Sequence, residues 1–158
     1  MTRILSGLIV PFGDTASRGW FDVQFSAGAL TVTDVARVPL MFEHGATLEV
    51  VGVMTDVVET PDGVTAEFAL DDTPAGDRAA AEYEAGSRTG LSIGVEYDDD
   101  TLDQIIDALW DWETDERPVI NASGTVREVS HVAVPAFDNS RLTNLTTTDN
   151  ADAPVGTN

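Results

Sequence analysis

Three side chains of this sequence have the chemistry of a hydrolytic site. Ser92 is a candidate nucleophile, His44 is one of only two histidines, and Glu128 is an acid in an otherwise apolar segment. A serine hydroxyl is a poor nucleophile unless a base lies within hydrogen-bonding distance, and that base needs a third group to orient it. Elements that lie far apart in the sequence would therefore have to bring these three residues together.

Ser92 lies between two glycines, in Gly90-Leu-Ser-Ile-Gly94. The letters match the nucleophile elbow of α/β-hydrolases, but that motif requires a helix directly after the serine. Here residues 93–97 continue as a β-like run, so we reject the α/β-hydrolase interpretation. The two glycines are instead expected to leave the Ser92 hydroxyl uncovered, so that another chain can approach it.

His44 stands where the apolar segment 38–42 ends in Glu43-His44-Gly45. A strand end beside a glycine commonly exposes a functional side chain. The alternative, a structural histidine with satisfied hydrogen bonds, stays open on this evidence.

Glu128 lies in a segment that reads as a strand, 125–134. Because side chains alternate between the faces of a strand, Glu128 and Ser130 share one face, while Val129 and His131 share the other. A carboxylate among apolar residues is costly unless it is paired, and an imidazole would be a suitable partner. Glu128 and His131 should therefore point in opposite directions.

Composition excludes several function classes. The chain has 158 residues, which fits one domain, and a formal net charge of −20, which disfavours nucleic-acid binding. It has no cysteine, so disulfides, thiolate metal sites and cysteine nucleophiles are excluded, and two histidines disfavour a zinc site.

No apolar run approaches the ~18 residues that suggest a membrane span, and we expect a soluble, intracellular protein without a membrane partner. The acidic runs 71–72 and 98–100 are interpreted as solvated surface rather than a cation site.

The remaining pattern predicts an α+β fold, a mostly antiparallel β-barrel flanked by helices. A hairpin is expected, with arms at 48–58 and 64–70. Two further strands are expected at 89–97 and 125–134. Helices are expected at 75–85 and 102–116. Residues 1–142 are predicted to form the domain, and 143–158, poor in large apolar groups, a disordered tail or linker.

The order of these segments resembles the prohead (capsid maturation) serine proteases of tailed bacteriophages, relatives of the herpesvirus assemblin proteases. The resemblance covers roughly residues 5–140, and its matching pieces are 7–13, 38–45, the 51–73 hairpin region, 90–94 and 128–136. It implies that Ser92 is the nucleophile, His44 the base and Glu128 the third member. In the herpesvirus relatives a second histidine takes the third place, so His131 is the rival, but strand alternation favours Glu128.

The resemblance also implies a function. The expected activity is that of a serine endopeptidase without a cofactor, which cleaves scaffold and major capsid proteins inside the assembling prohead, in the host cytoplasm. A homo-oligomer is left open, and the tail would suit a junction to a scaffold or capsid segment, a self-cleavage site or a flexible terminus.

The herpesvirus relatives support the oxyanion with an arginine pair, whereas this chain has only Arg141 in that region, so backbone N–H groups are the default donors. The alternative is a non-catalytic β-barrel module for capsid assembly or scaffolding.

Overall fold

The computed structural model describes residues 1–111, 113 and 116–149. These residues form two α-helices, α1 (Pro74–Ala85) and α2 (Asp99–Trp110), and two short 3-10 helices, Val35–Arg37 and Glu43–Gly45. Their strands are β1 (Thr2–Pro11), β2 (Ala16–Ser17), β3 (Asp22–Gln24), β4 (Leu30–Thr31), β5 (Pro39–Phe42), β6 (Val50–Thr60), β7 (Gly63–Leu70), β8 (Gly90–Tyr97), β9 (Val119–Asn121), β10 (Gly124–Val132) and β11 (Leu142–Thr148).

Eight of the strands form one sheet in the order β11-β1-β7-β6-β5-β10-β4, with β8 paired to β10 as well. A smaller sheet has the order β2-β3-β9. Most pairs are antiparallel, but β10 runs parallel to β5 and to β4. The α+β class and the mostly antiparallel pairing are thus confirmed.

The expected closed barrel is wrong for the described residues. Their ladders leave the sheet open, and one isolated bridge, between Gly90 and Arg141, joins β8 to the segment before β11. Residues 133–140, which precede Arg141, form bends and turns and contain Pro135, which has no N–H to donate to a ladder. The chain therefore turns there instead of forming a regular strand between the two edges.

The predicted hairpin is confirmed as β6 and β7, which pair from Gly52 with Leu70 to Thr60 with Gly63. Alternate side chains of β7 are buried in the core, as its sequence pattern predicts: Val64, Ala66, Phe68 and Leu70. This hairpin carries β5 on its outer side, and β5 leads directly to His44.

The helix predicted at 75–85 is confirmed as α1. The Thr73 side chain caps it by accepting a hydrogen bond from the Gly76 N–H, and Gly86 ends it in the left-handed conformation, with φ of 75°. This helix fixes the chain direction before β8.

The helix predicted at 102–116 begins earlier, as α2, because Asp98 caps it by accepting a hydrogen bond from the Thr101 N–H. Its apolar stripe is only half-covered, and Leu102, Ile106 and Leu109 remain exposed. Trp112, which falls within the helix predicted at 102–116, lies outside the described residues. In the described part of the chain, neither helix has the length and apolar character needed to cross a membrane.

The predicted disordered tail is wrong for residues 143–148, which form most of β11. This strand pairs antiparallel with β1, from Thr2 with Thr148 to Gly7 with Leu142. Its threonines are β-branched and suit an exposed edge strand, although they bury little apolar surface. Residues 150–158 of the predicted tail lie outside the described residues.

The contact between β1 and β11 gives a prediction. A methyl group at Gly7 would overlap the backbone of Arg141 and Leu142, so Gly7→Ala should lower the free energy of unfolding by about 1–3 kcal/mol. Chemical denaturation measures this effect, with Ser6→Ala as the control on the neighbouring position. Equal stability of the two variants would contradict the close packing of β11 on β1.

Candidate active site

Ser92 lies within β8, and its strand neighbours place it at the centre of the site. β8 pairs antiparallel with β10, and Ser130 of β10 is directly opposite Ser92. Directly paired residues project their side chains to the same face of a sheet. The strand continues to Tyr97, so the structure has no strand-to-helix elbow at this serine.

His44 lies in the 3-10 turn Glu43–Gly45, immediately after β5. Its backbone is left-handed, with φ of 55° and ψ of 34°, and Glu43 before it also has a positive φ, 47°. This conformation is unfavourable for residues with a Cβ, by roughly 1–2 kcal/mol each. The turn therefore needs contacts from elsewhere to hold it.

The three candidate side chains meet in one line of hydrogen bonds. His44 Nε2 is 2.9 Å from Ser92 Oγ, and His44 Nδ1 is 2.6 Å from Glu128 Oε1. An ionised carboxylate can only accept hydrogen bonds, so Nδ1 carries the ring proton and Nε2 is free to accept the hydroxyl proton of Ser92. The arrangement can deprotonate the serine and stabilise the resulting imidazolium.

Gly94 makes room for the third side chain. Glu128 pairs with Gly94 across the β8–β10 ladder, next to a β-bulge. A Cβ at Gly94 would lie 2.5 Å from Glu128 Oε1 and 2.8 Å from its Cγ. The carboxylate thus crosses β8 over a position where any other residue would block it.

This geometry corrects one expectation about the glycines. They do not leave Ser92 uncovered: Glu128 fills the space at Gly94, Pro135 and Val132 fill the space at Gly90, and Ser92 itself is buried. The missing side chains serve packing within the protein instead.

His131, the rival third residue, points away from this face. It is fully buried, stacks on Phe42 with ring centroids 5.7 Å apart, and its Nε2 donates to the Arg88 carbonyl at 2.6 Å. Nδ1 has no hydrogen-bond partner within the part of the chain that the structure describes. Burial lowers the pKa of His131, which favours a neutral ring.

The pKa of His44 is shifted in the opposite direction to the pKa of His131. The hydrogen bond from Nδ1 to Glu128 raises the pKa of His44, and the negative charges of Glu128 and Glu43 add to the rise. Partial burial of the ring and the positive charge of Arg18 oppose it. The carboxylate thus favours the protonated ring, the state that a general base reaches during the reaction.

Arg141 has a contact of its own near β8. Its guanidinium donates to the Asp138 carbonyl at 2.9 Å and to Thr89 Oγ1 at 3.3 Å. The acidic run 98–100 has a structural contact too, since Asp98 caps α2. No group of three or more His, Cys, Asp or Glu among residues 1–111, 113 and 116–149 could hold a metal ion.

One site residue, Ser130, has no role in the sequence-based hypothesis. Ser130 Oγ donates to Glu128 Oε2 at 2.7 Å and accepts from the His44 N–H at 2.8 Å. Its position two residues from Glu128, on the same face, was visible in the sequence. The turn that it contacts was not.

A comparison of the sequence with known families gives the family of this chain. No curated protein matches the sequence significantly. Among solved structures, a KSHV protease crystallised with a hexapeptide phosphonate inhibitor is similar, with a TM-score of 0.49 and 13% identity. The alignment covers 94% of this chain, and the chain spans 66% of the length of that protease. The sequence profile of the caudovirus prohead serine proteases matches residues 1–153. Because this match covers nearly the whole sequence, the chain belongs to the caudovirus prohead serine protease family.

Proposed function

We propose that this protein is an endopeptidase in which Ser92 is the nucleophile, His44 the general base and Glu128 the orienting acid. One observation carries the proposal: an unbroken line of hydrogen bonds, 2.9 Å from Ser92 to His44 and 2.6 Å from His44 to Glu128. This is the order of groups that serine-protease chemistry requires.

In the proposed reaction, Ser92 Oγ attacks the carbonyl carbon of the scissile peptide while its proton moves to His44 Nε2. The tetrahedral intermediate then breaks its C–N bond, and the leaving nitrogen takes that proton from His44. Water, deprotonated by the same Nε2, attacks the acyl-serine ester, and the proton returns to Ser92 as the ester breaks. His44 mediates every proton transfer, so the reaction as written uses no cofactor.

Glu128 acts electrostatically in this scheme. While His44 holds the extra proton, the ring is a cation in contact with a carboxylate that is mostly removed from water. Such a pair is stronger than in bulk solvent, so the carboxylate stabilises the charge that develops in the transition state. His131 cannot take this place, because its ring is bound on the opposite face of β10.

We further propose that the substrates are the scaffold and major capsid proteins of a phage prohead, cleaved inside the assembling shell. The family description, prohead serine protease, supports this substrate class. A homo-oligomeric state of the enzyme belongs to the same proposal. The mass of the protein in solution, with and without substrate, tests it.

The nucleophile is tested by Ser92→Ala. We expect a loss of about 10⁴–10⁶-fold in the rate of cleavage of a scaffold-protein fusion, the scale seen when a serine protease loses its nucleophile, with unchanged unfolding temperature. Ser26→Ala, at an exposed turn, is the matched control and should keep full activity. Cleavage by Ser92→Ala at the wild-type rate would eliminate Ser92 as the nucleophile.

The base is tested by covalent labelling. A fluorophosphonate probe should label native protein at Ser92, and His44→Ala should reduce the labelling rate by at least about 10³-fold, because the hydroxyl would keep its proton. Mass spectrometry locates the label, and heat-unfolded protein serves as the control. Absence of labelling at any pH would favour the non-catalytic capsid-assembly module instead.

The role of Glu128 is tested by pH dependence. In the wild type, the raised pKa of His44 should place the acidic limb of kcat/KM above the usual histidine value of about 6.5. Glu128→Gln removes the charge that favours the imidazolium, so the limb should move to lower pH, and kcat should fall by about 10²–10⁴-fold. Glu96→Gln, on the neighbouring strand, is the control for loss of one negative charge. A limb that stays in place in Glu128→Gln would argue against the pairing.

A further inference from the structure

We propose that Ser130 is a positioning residue that holds both the backbone and the ring of His44 in place for catalysis. The inference rests on the proposed function, since it concerns the same base. No role in the reaction beyond positioning is assigned to Ser130, because His44 Nε2 meets Ser92 and not Ser130.

The contacts form a closed circuit. The His44 N–H donates to Ser130 Oγ at 2.8 Å, the Ser130 hydroxyl donates to Glu128 Oε2 at 2.7 Å, and Glu128 Oε1 accepts from His44 Nδ1 at 2.6 Å. A backbone N–H can only donate and an ionised carboxylate can only accept, so the direction of every bond is fixed. One hydroxyl therefore links the main chain of the base to the acid that orients its ring.

The burial of Ser130 means that water cannot easily replace its hydroxyl in this circuit. Ser130 is fully buried, so water cannot replace its hydroxyl without a rearrangement of β10. Loss of the hydroxyl would leave the His44 N–H and Glu128 Oε2 without this partner, beside a position that is buried. Both groups would then be free to move away from the geometry that proton transfer needs.

The backbone of His44 explains why such a contact is required. The left-handed turn at Glu43 and His44 is unfavourable for side-chain-bearing residues, and β10 and the residue that follows it hold the turn at two points. One is the Ser130 hydroxyl, and the other is the Ala133 N–H, which donates to Glu43 Oε1 at 2.9 Å. The strand that carries the acid thus also fixes the turn that carries the base.

The charged groups around His44 identify what a change at Ser130 would do. Glu128 faces the ring from β10, Glu43 from its own turn and Arg18 from the loop before β3. Ser130 contacts the carboxylate that makes the largest contribution to the raised pKa of His44. Without the hydroxyl, the His44–Glu128 hydrogen bond should be formed for less of the time, and the pKa of His44 should fall.

The experiment combines kinetics with a titration. Ser130→Ala should lower kcat by about 10- to 100-fold with little change in KM, the scale expected for a misplaced catalytic group. In the inactive Ser92→Ala background, NMR should show the titration midpoint of His44 moving to lower pH on adding Ser130→Ala. His131 is the other histidine of the chain, and its titration, as distinct from its chemical shifts, is the internal reference that should not change.

Two further sets of variants separate positioning from loss of stability. Ser130→Thr keeps the hydroxyl and Ser130→Val has nearly the same shape without it, so activity in Thr and not in Val would support the role even if alanine folds poorly. Ser140→Ala removes another fully buried hydroxyl, which donates to the Ile9 carbonyl, and should affect stability but not the pH profile.

The outcomes distinguish this inference from the proposed function. If Ser92→Ala is inactive while Ser130→Ala and Ser130→Val keep the wild-type kcat and His44 titration, the positioning role is wrong and the catalytic assignment stands. If Ser92→Ala remains active, the catalytic assignment itself fails, whatever Ser130 does.

Discussion

The position of β10 between β8 and β5 is the constraint on which the site depends. The antiparallel register with β8 sets Ser130 opposite Ser92, and the parallel register with β5 sets His131 beside Phe42, two residues before His44. Because side chains alternate along a strand, a shift of β10 by one residue would turn the side chains of Glu128 and Ser130 to the opposite face of the sheet. The register of one strand therefore determines whether the proposed acid, base and nucleophile can meet.

The two faces of β10 favour opposite protonation states of the histidines that lie against them. On one face a carboxylate contacts a half-exposed imidazole and favours its protonated state. On the other, His131 is fully buried against Phe42, and its burial favours the neutral state. Two arginines cover the Phe42 ring, Arg78 and Arg88, each 4.4 Å from its centre. The strand thus contributes one face to the proposed active site and the other to the core, and the same alternation of side chains separates the two histidines.

Local patterns in the sequence predicted much of this structure. The β6–β7 hairpin and α1 follow from turn and capping residues close in sequence, and the separation of Glu128 from His131 follows from strand alternation. The failures concern contacts between distant segments. β11 owes its order to pairing with β1, the sheet stays open because of the turn segment before β11, and Gly94 is required by a side chain 34 positions further along. The role of Ser130 depends on the left-handed turn at His44, which no local pattern predicted.

The tautomer of each histidine, measured by nitrogen-15 NMR above the pKa of His44, tests most directly whether Glu128 orients His44 for proton transfer. We predict opposite tautomers: a proton on Nδ1 of His44, donated to Glu128, and on Nε2 of His131, donated to the Arg88 carbonyl. A proton on Nε2 of neutral His44 would aim a donor at Ser92 where the mechanism needs an acceptor, and would contradict the proposed line of proton transfer.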